Sequence, residues 1–385
     1  MGIEAKAVIG CNYGDEGKGL VTDYLAHEAI KKHGNCLVVC NNGGAQRSHT
    51  VVLRDGTRHA FRHLGSGTFA GADTYLSEYF ILNPIIFREE YEELFGNSET
   101  VTKIFVDNKC IVTTPYEMLL NQMLEKSRGE NRYGSCGLGI WETVKRYNET
   151  KGLWRYYDFK GFDLFEITQE IKVRKAIFDR CLNGYLKSGI ITEAVYREYQ
   201  PFIDSSTLMH NFISDLCFML IHTCRADVNV IRQYKSVIFE NGQGLLLNAD
   251  KSNPHTTPSK TGMQNIFEIE KALGGDIEVM PYYVTRSYVT RHGAGKLDFE
   301  LDKSEIGNIQ DDSTNIPNDW QGALRYGVLT YDVFKRIVAD AKNREYSLVI
   351  THCDELQIDT NRYTGLVKLF KSYGATRECI NLERK

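Results

Sequence analysis

Proline is scarce, 7 in 385 residues, and the chain contains no Ser/Gly-rich linker and no internal repeat. This excludes a string of loosely tethered modules and favours one compact unit over 1–385. No stretch approaches the ~20 consecutive apolar residues of a membrane span. The opening Met1-Gly2-Ile3-Glu4-Ala5-Lys6 has no apolar export run, and Lys6 stands where a myristoylation start would carry Ser or Thr. A membrane partner is therefore not expected. Positive charge is also in short supply: 46 Lys+Arg against 50 Asp+Glu leave a net charge of −4 and no basic stripe for a nucleic-acid backbone. A single nucleotide remains a compatible ligand. The ten cysteines include no Cys-x-x-Cys pair, and Cys36, Cys40 and Cys217 sit in apolar runs where reduced thiols pack as small hydrophobes. That usage suits a reducing cytoplasm.

With 42% apolar and 25% charged residues, the chain can bury a large core. Short apolar runs suited to buried parallel strands occur at 7–10, 36–40, 101–106, 236–240, 279–284 and 348–351, with helical patterns between several of them. The expected class is α/β, a mostly parallel central sheet flanked by helices. Between about 150 and 235 the pattern changes to long charged and aromatic stretches, as at 166–180 and 207–225, which predict a helical subdomain without strands. The polar, acidic segment 300–320 reads as a loop that either moves over a site or lies on the surface.

The most informative stretch is 8–25, an apolar strand running into Gly10-Cys11-Asn12-Tyr13-Gly14-Asp15-Glu16-Gly17-Lys18-Gly19 and then a helical pattern. Gly10, Gly14, Gly17 and Gly19 are expected to permit positive φ and close backbone approach, while a helix starting near Lys18 aims its positive end at the same place. The turn is suited to hold phosphate beside a proton acceptor. It is not an ordinary P-loop, because the glycine opening that motif would fall at Asn12 and Gly19 replaces the magnesium-binding hydroxyl. A regulatory GTPase is disfavoured on the same ground.

Gly14-Asp15-Glu16-Gly17-Lys18-Gly19 resembles the signature of the adenylosuccinate synthetase family, and Gly43-Gly44-Ala45-Gln46-Arg47-Ser48-His49-Thr50 is similar to its second block. Further similar blocks follow in order. They are Phe239-Glu240-Asn241-Gly242-Gln243-Gly244, Thr285-Arg286 through Gly293-Ala294-Gly295, Trp320-Gln321-Gly322 with Leu324-Arg325-Tyr326-Gly327, Thr351-His352-Cys353-Asp354, and Ser372-Tyr373-Gly374 with Arg377-Glu378.

The resemblance implies a ligase that joins L-aspartate to the 6-oxo carbon of a purine nucleoside monophosphate through a 6-phosphoryl intermediate. Mg2+ and a nucleoside triphosphate (GTP, ATP or dATP) are the implied helpers, and a homodimer the implied assembly. By resemblance Asp15 is the base and a metal ligand, with the Ser48 carbonyl a second metal ligand. Lys18 with Gly14, Glu16, Gly17 and Gly19 forms the phosphate loop, and His49 donates to the phosphates as the bond breaks. Gln46, Ser135, Arg146, Gln243 and Thr257 fall at acceptor-nucleotide positions, Arg146 where the family inserts an arginine from a neighbouring subunit. Its plain alternative is a solvated helix charge.

For aspartate the resemblance implies Thr314, Asn315 and Arg325, with Arg291 a weaker candidate. Arginine suits the task because its planar fork grips a carboxylate through two bonds. The family's arginine-rich run is missing here, replaced by 318–325, Asn-Asp-Trp-Gln-Gly-Ala-Leu-Arg. The donor base falls to His352, Asp354, Ser372 and Gly374, with His352 in place of the family's lysine.

Departures concentrate at nucleotide-facing blocks: Gln46-Arg47-Ser48 replaces Asn-Ala-Gly, and the loop 133–139 around Ser135 is altered. They tilt the expected acceptor towards dGMP, as in the family's viral branch on the route to 2-aminoadenine nucleotides, in which case the compartment is a host cytoplasm. Retention of Asp15, which many viral members replace by serine, pulls towards IMP. A purine-nucleotide sensor without turnover is a further alternative, opposed by the joint presence of Asp15, Lys18, His49 and Gln243.

Overall fold

The computed structural model describes residues 2–96, 102–150, 155–159, 161, 163–250, 252–310, 315, 317, 320–360 and 366–384. Its centre is a ten-stranded sheet. From one edge the strands are Ile380–Arg384, Leu366–Ser372, Tyr346–Thr351, Val279–Arg286, Glu4–Gly10, Ser236–Gly244, Leu37–Cys40, Asp73–Leu76, Ile104–Asp107 and Cys224–Ala226. All neighbours are parallel except the first pair. Tyr346–Thr351 and Leu37–Cys40 are buried throughout, as expected of strands covered on both faces.

All six strands expected from apolar runs are present. Those the sequence did not reveal lie towards the edges: Leu366–Ser372 interleaves Lys368 and Lys371 with apolar residues, and Asp73–Leu76 has only four residues. Cys224–Ala226 corrects the expectation of a strand-free 150–235 segment. It is a three-residue, largely exposed edge strand with no apolar run to announce it, paired to Ile104–Asp107.

The expected helices are there as Leu164–Lys187 and Ser206–Ile221. Ile167, Ile171, Phe178, Leu216 and Met219 on these helices share one buried cluster with Leu76 and Val106 of the sheet. No helix among the described residues is long and apolar enough to cross a membrane. The segment 300–320 contains a short helix, Lys303–Ile306, and part of it lies outside the described residues.

Glu4–Gly10 pairs with Ser236–Gly244 on one side and Val279–Arg286 on the other. A strand followed by chain that crosses to both sides creates a crevice at the carboxyl ends of the strands, where open α/β sheets bind ligands. Gly10, Glu240, Arg286 and Thr351 all lie at that end.

Candidate functional site

The glycine-rich turn leaves Gly10 and enters the helix Lys18–His33 through Gly17. Gly14 and Gly17 have φ of 103° and 89°, and Asp15 is itself left-handed at 57°. Gly10 and Gly19 do not share this conformation; they are glycines for want of space. A Cβ on Gly10 would collide with the Glu16 carboxylate, and one on Gly19 would lie 2.7 Å from the Thr50 carbonyl. Glu16 is 2% exposed and fills the inside of the turn. It accepts the amides of Asn12 and Gly14, each at 2.9 Å, and the Lys18 ammonium at 2.6 Å. Thr351 Oγ1 donates to the Glu16 carbonyl at 2.9 Å and ties the turn to a neighbouring strand.

The close approach at Gly19 lets the hairpin of His49–Val52 and Arg58–Phe61 lie against the first turn of that helix, which brings His49 beside Lys18. His49 Nδ1 is 2.9 Å from Glu240 Oε1, while Glu240 Oε2 accepts from Arg47 Nη1 at 3.3 Å and the Ser66 amide at 3.2 Å. Burial pushes the His49 imidazole below its ordinary value. Burial would raise Glu240, but His49 and Arg47 outweigh it and hold the carboxyl at about 2. The resting ring is thus neutral at neutral pH. Its Nδ1 proton faces Glu240, and its Nε2 edge is left for the cleft.

The cleft measures about 300 Å³ and is lined by Asp15, Glu16, Gly17, Lys18, Gly19, Ser48, His49, Arg58, Arg286, Tyr288, Gln310, Asn315, His352, Asp354, Glu355 and Gly374, among others. Residues expected to hold phosphate, metal, reacting groups and donor base therefore converge. Arg286 Nε donates to the Asp15 carbonyl. Ser372 stands behind Gly374, its hydroxyl donating to the Gly374 carbonyl at 2.7 Å. His352 has φ of 59° and its Nδ1 lies 2.9 Å from Thr351 Oγ1; Glu355 accepts the Tyr288 hydroxyl at 2.6 Å, and Asp354 is exposed.

Among the described residues no group of three His, Cys, Asp or Glu side chains is arranged to hold a metal unaided. Asp15 and Ser48 line the same cleft, and a carboxylate with a backbone carbonyl would fit Mg2+, which keeps several waters and takes further oxygens from substrate phosphates.

Gln46 and Gln243 meet over Gly43: a Cβ there would be 3.1 Å from Gln243 Oε1 and 3.4 Å from Gln46 Nε2. Both amide atoms of Gln46 and Oε1 of Gln243 are buried with no hydrogen-bond partner among the described residues. Such orphaned groups suit a ligand with donors and acceptors of its own. Ser135 donates to Asn121 Oδ1 at 2.8 Å, and the buried Glu125 carboxylate takes the amides of Gly134 and Ser135 at 2.9 and 3.4 Å. Thr257 donates its amide to the Leu247 carbonyl at 3.0 Å, and Trp141 reaches from the helix after the Ser135 loop to the neighbouring Thr256 carbonyl at 3.2 Å.

Arg146 is not the solvated helix charge of the plain alternative. It is 5% exposed, donates to the Val112 carbonyl at 2.6 Å and pairs with Glu117 at 3.2 Å, next to Arg174 on the same carboxylate. The helix Ile140–Glu149 turns this side chain inward because Glu117, buried by its own capping box at Thr114, needs cations around it.

Arg325 directs its fork at Glu300, with Nε to Oε1 at 2.7 Å and Nη2 to Oε2 at 2.5 Å, and also donates to the carbonyls of Gly293 and Gly295. Arg291 is spent on the carbonyls of Ala294 and Lys296 and lies over the Tyr13 ring. Thr314 lies outside the described residues. Asn315 Oδ1 is 2.9 Å from His292 Nε2, and that nitrogen is 3.4 Å from Asp15 Oδ2.

Glu240, Arg47, His292, Arg286 and Glu355 were given no role from sequence. All five stand inside or directly beside the blocks that carry the family resemblance, so the blocks were the available signal. What was missing was any hint that Arg47, 193 residues from Glu240, would reach it.

Residues 7–364 match the family model of adenylosuccinate synthetase. The adenylosuccinate synthetase of Lactobacillus acidophilus is 27% identical over 301 residues, covering 77% of this chain and 65% of that protein. That of Clostridium beijerinckii is 28% identical over 305 residues, covering 78% and 66%. The chain thus spans just under two thirds of the length of these relatives. Among solved structures, the fully ligated adenylosuccinate synthetase of Plasmodium falciparum superposes with a TM-score of 0.69 at 17% identity, over 91% of this chain and 77% of that one. The cyanophage S-2L succinoaminodeoxyadenylate synthetase, bound to dGMP and dATP, gives 0.64 at 12% identity, over 100% and 97%. With the family model matched over most of its length, the chain belongs to the adenylosuccinate synthetase family.

Proposed function

We propose that this protein ligates L-aspartate to carbon 6 of a purine nucleoside 5′-monophosphate in purine nucleotide biosynthesis, driven by a nucleoside triphosphate. Asp15 takes the N1 proton, and O6 attacks the γ-phosphorus as the nucleoside diphosphate leaves. The aspartate amine then displaces inorganic phosphate from carbon 6. Lys18 and the amides of the turn hold the phosphates, and His49 takes up a proton on Nε2 as the nucleotide binds, becoming the imidazolium that Glu240 stabilises through Nδ1–H, and donates from Nε2–H to the transferring group. Mg2+, held by Asp15 and the Ser48 carbonyl, would neutralise phosphate charge. The observation that carries this reading is the convergence of Asp15, Lys18 and His49 with Asp354 on a single cleft. A sensor without turnover would not need a carboxylate, an ammonium and an imidazole gathered there.

For the acceptor we favour dGMP. The orphaned amide of Gln46 beside Gln243 offers a buried acceptor to an exocyclic 2-amino group that hypoxanthine lacks. The cyanophage enzyme, whose fold this chain shares, is bound to dGMP. IMP with GTP remains the second reading, favoured by Asp15 itself and by Asp354, whose carboxylate can accept both guanine N1–H and the 2-amino group.

The test is a matrix of purified protein with L-aspartate and Mg2+, IMP, dIMP, GMP or dGMP as acceptor, and GTP, ATP or dATP as donor, read by product mass. No aspartate-dependent diphosphate release anywhere in the matrix removes the ligase reading. A kcat/KM for dGMP about ten- to a hundredfold above IMP is expected, since a buried acceptor left unpaired costs about 1–3 kcal/mol. A clear preference for IMP overturns the choice of acceptor.

A further inference from the structure

Arg47 has all three of its guanidinium nitrogens engaged in hydrogen bonds. Its side chain has 0% exposure. Nε donates to the Arg62 carbonyl at 2.7 Å, Nη2 to the carbonyls of Leu64 at 2.8 Å and His63 at 3.2 Å, and Nη1 to Glu240 Oε2 at 3.3 Å. Glu240, likewise at 0% exposure, has its other oxygen on His49 Nδ1. The three side chains come from three segments: the loop before the hairpin, the hairpin's first residue and the central strand Ser236–Gly244.

We propose that Arg47 and Glu240 are positioning residues for His49: Arg47 clamps the carboxylate, and the carboxylate holds the imidazole with Nδ1–H turned inward and Nε2 towards the cleft. The proposal rests on the reading of His49 as the residue that meets the donor phosphates. A buried Arg–Glu pair is weak support for a fold, because apolar side chains of similar volume often stabilise as well or better. Its use here is directional. Glu240 Oε2 already has the Ser66 amide, but one amide leaves the carboxylate free to swing about its χ angles. The Arg47 fork, itself fixed on three carbonyls, removes that freedom. Lysine in its place would keep the charge but could not reach these acceptors from one planar group.

The experiment uses the full chain with Glu240→Gln, Arg47→Lys and Arg47→Met, each in the wild-type and the His49→Asn background. Two things are measured: kcat and donor KM, and the 15N imidazole signals of His49 in the ligand-free protein. The wild-type ring is expected with Nδ1 protonated and Nε2 bare, and Glu240→Gln is expected to populate the opposite tautomer, since a carboxamide can turn an N–H towards the ring. Glu240→Gln and Arg47→Lys are expected to lower kcat about ten- to a hundredfold with donor KM changed less than about threefold. In the His49→Asn background the same changes are expected to cost less than about twofold more, because their effect passes through a ring that is no longer there.

Unchanged His49 signals in Glu240→Gln, or an equal fold-loss in both backgrounds, overturns the proposal. Should Arg47→Met fail to fold, Arg47→Lys and Glu240→Gln decide. Should His49→Asn itself keep its turnover, the reading of His49 fails, while the ring signals still report whether Arg47 and Glu240 set its orientation.

Discussion

Arg47 and Glu90 hold the backbone of the same three residues, one through their carbonyls and the other through their amides. Arg47 donates to the carbonyls of Arg62, His63 and Leu64, and Glu90 accepts their amides at 2.8, 2.6 and 3.2 Å. A segment after a hairpin, with no strand partner to satisfy it, is thereby fixed by two buried charges of opposite sign. Glu90 reaches it from the helix Pro84–Phe95 and Arg47 from the loop that leads to His49.

The first prediction concerns acid stability. Burial would raise the Glu90 carboxyl, but the imidazoles of His59 and His63, 3.8 and 3.5 Å away, and the His63 amide outweigh it and hold the group at about 2. A carboxyl depressed on folding contributes its full stability above its unfolded value of about 4.3 and loses it as pH falls towards the folded value. Glu90→Gln should therefore be less stable than wild type at pH 7, by about 1–3 kcal/mol, and the gap should narrow between about pH 4.5 and pH 2. Urea unfolding at several pH values measures it. A gap that does not change with pH would refute the assignment.

Asp15→Asn and His49→Asn should each lower kcat by about 10²- to 10⁴-fold, with nucleotide Kd changed only severalfold, because both groups act on charge that develops during reaction. Single-turnover kinetics beside equilibrium binding separates the two. Near-normal turnover in either variant withdraws that residue's role.

The Arg325 fork is occupied by Glu300. If Arg325 receives an aspartate carboxylate, Glu300 competes for the same bidentate geometry. Glu300→Gln should then lower the KM for aspartate by roughly threefold or more at unchanged kcat, and Arg325→Met should raise it. The opposite sign for Glu300→Gln would mean that the pair builds the loop and meets no substrate.

For the donor, Asp354→Asn should reduce kcat/KM with GTP by about ten- to a hundredfold and leave ATP nearly unchanged, since only guanine offers two donors to that carboxylate. Equal effects on both donors would remove Asp354 from base recognition.

The strands that build the centre of the sheet were legible because full burial on both faces demands continuous apolar runs, as in 236–240 and 348–351. Edge strands such as Cys224–Ala226 meet no such demand and leave no pattern. In the site, the glycine turn and its acids were legible from local spacing, since the turn and the helix start fall within ten residues. The burial of Arg146 was not legible because its partner Glu117 lies 29 positions away on another helix and its burial depends on tertiary packing. The Gly10 side of the turn was misread in kind: glycine serves there to admit Glu16, a steric need that φ preferences do not express.

Glu16 also sets the electrical character of the cleft. It spends the Lys18 charge within the turn, and of the described lining residues three cations, Lys18, Arg58 and Arg286, face four carboxylates, Asp15, Glu16, Asp354 and Glu355. A cleft so balanced exerts little long-range pull on a bare polyphosphate; recognition has to come from short-range hydrogen bonds and from counter-charge that travels with the ligand. Nucleotide affinity should accordingly fall only slightly as monovalent salt rises, since few counter-ions are displaced on entry.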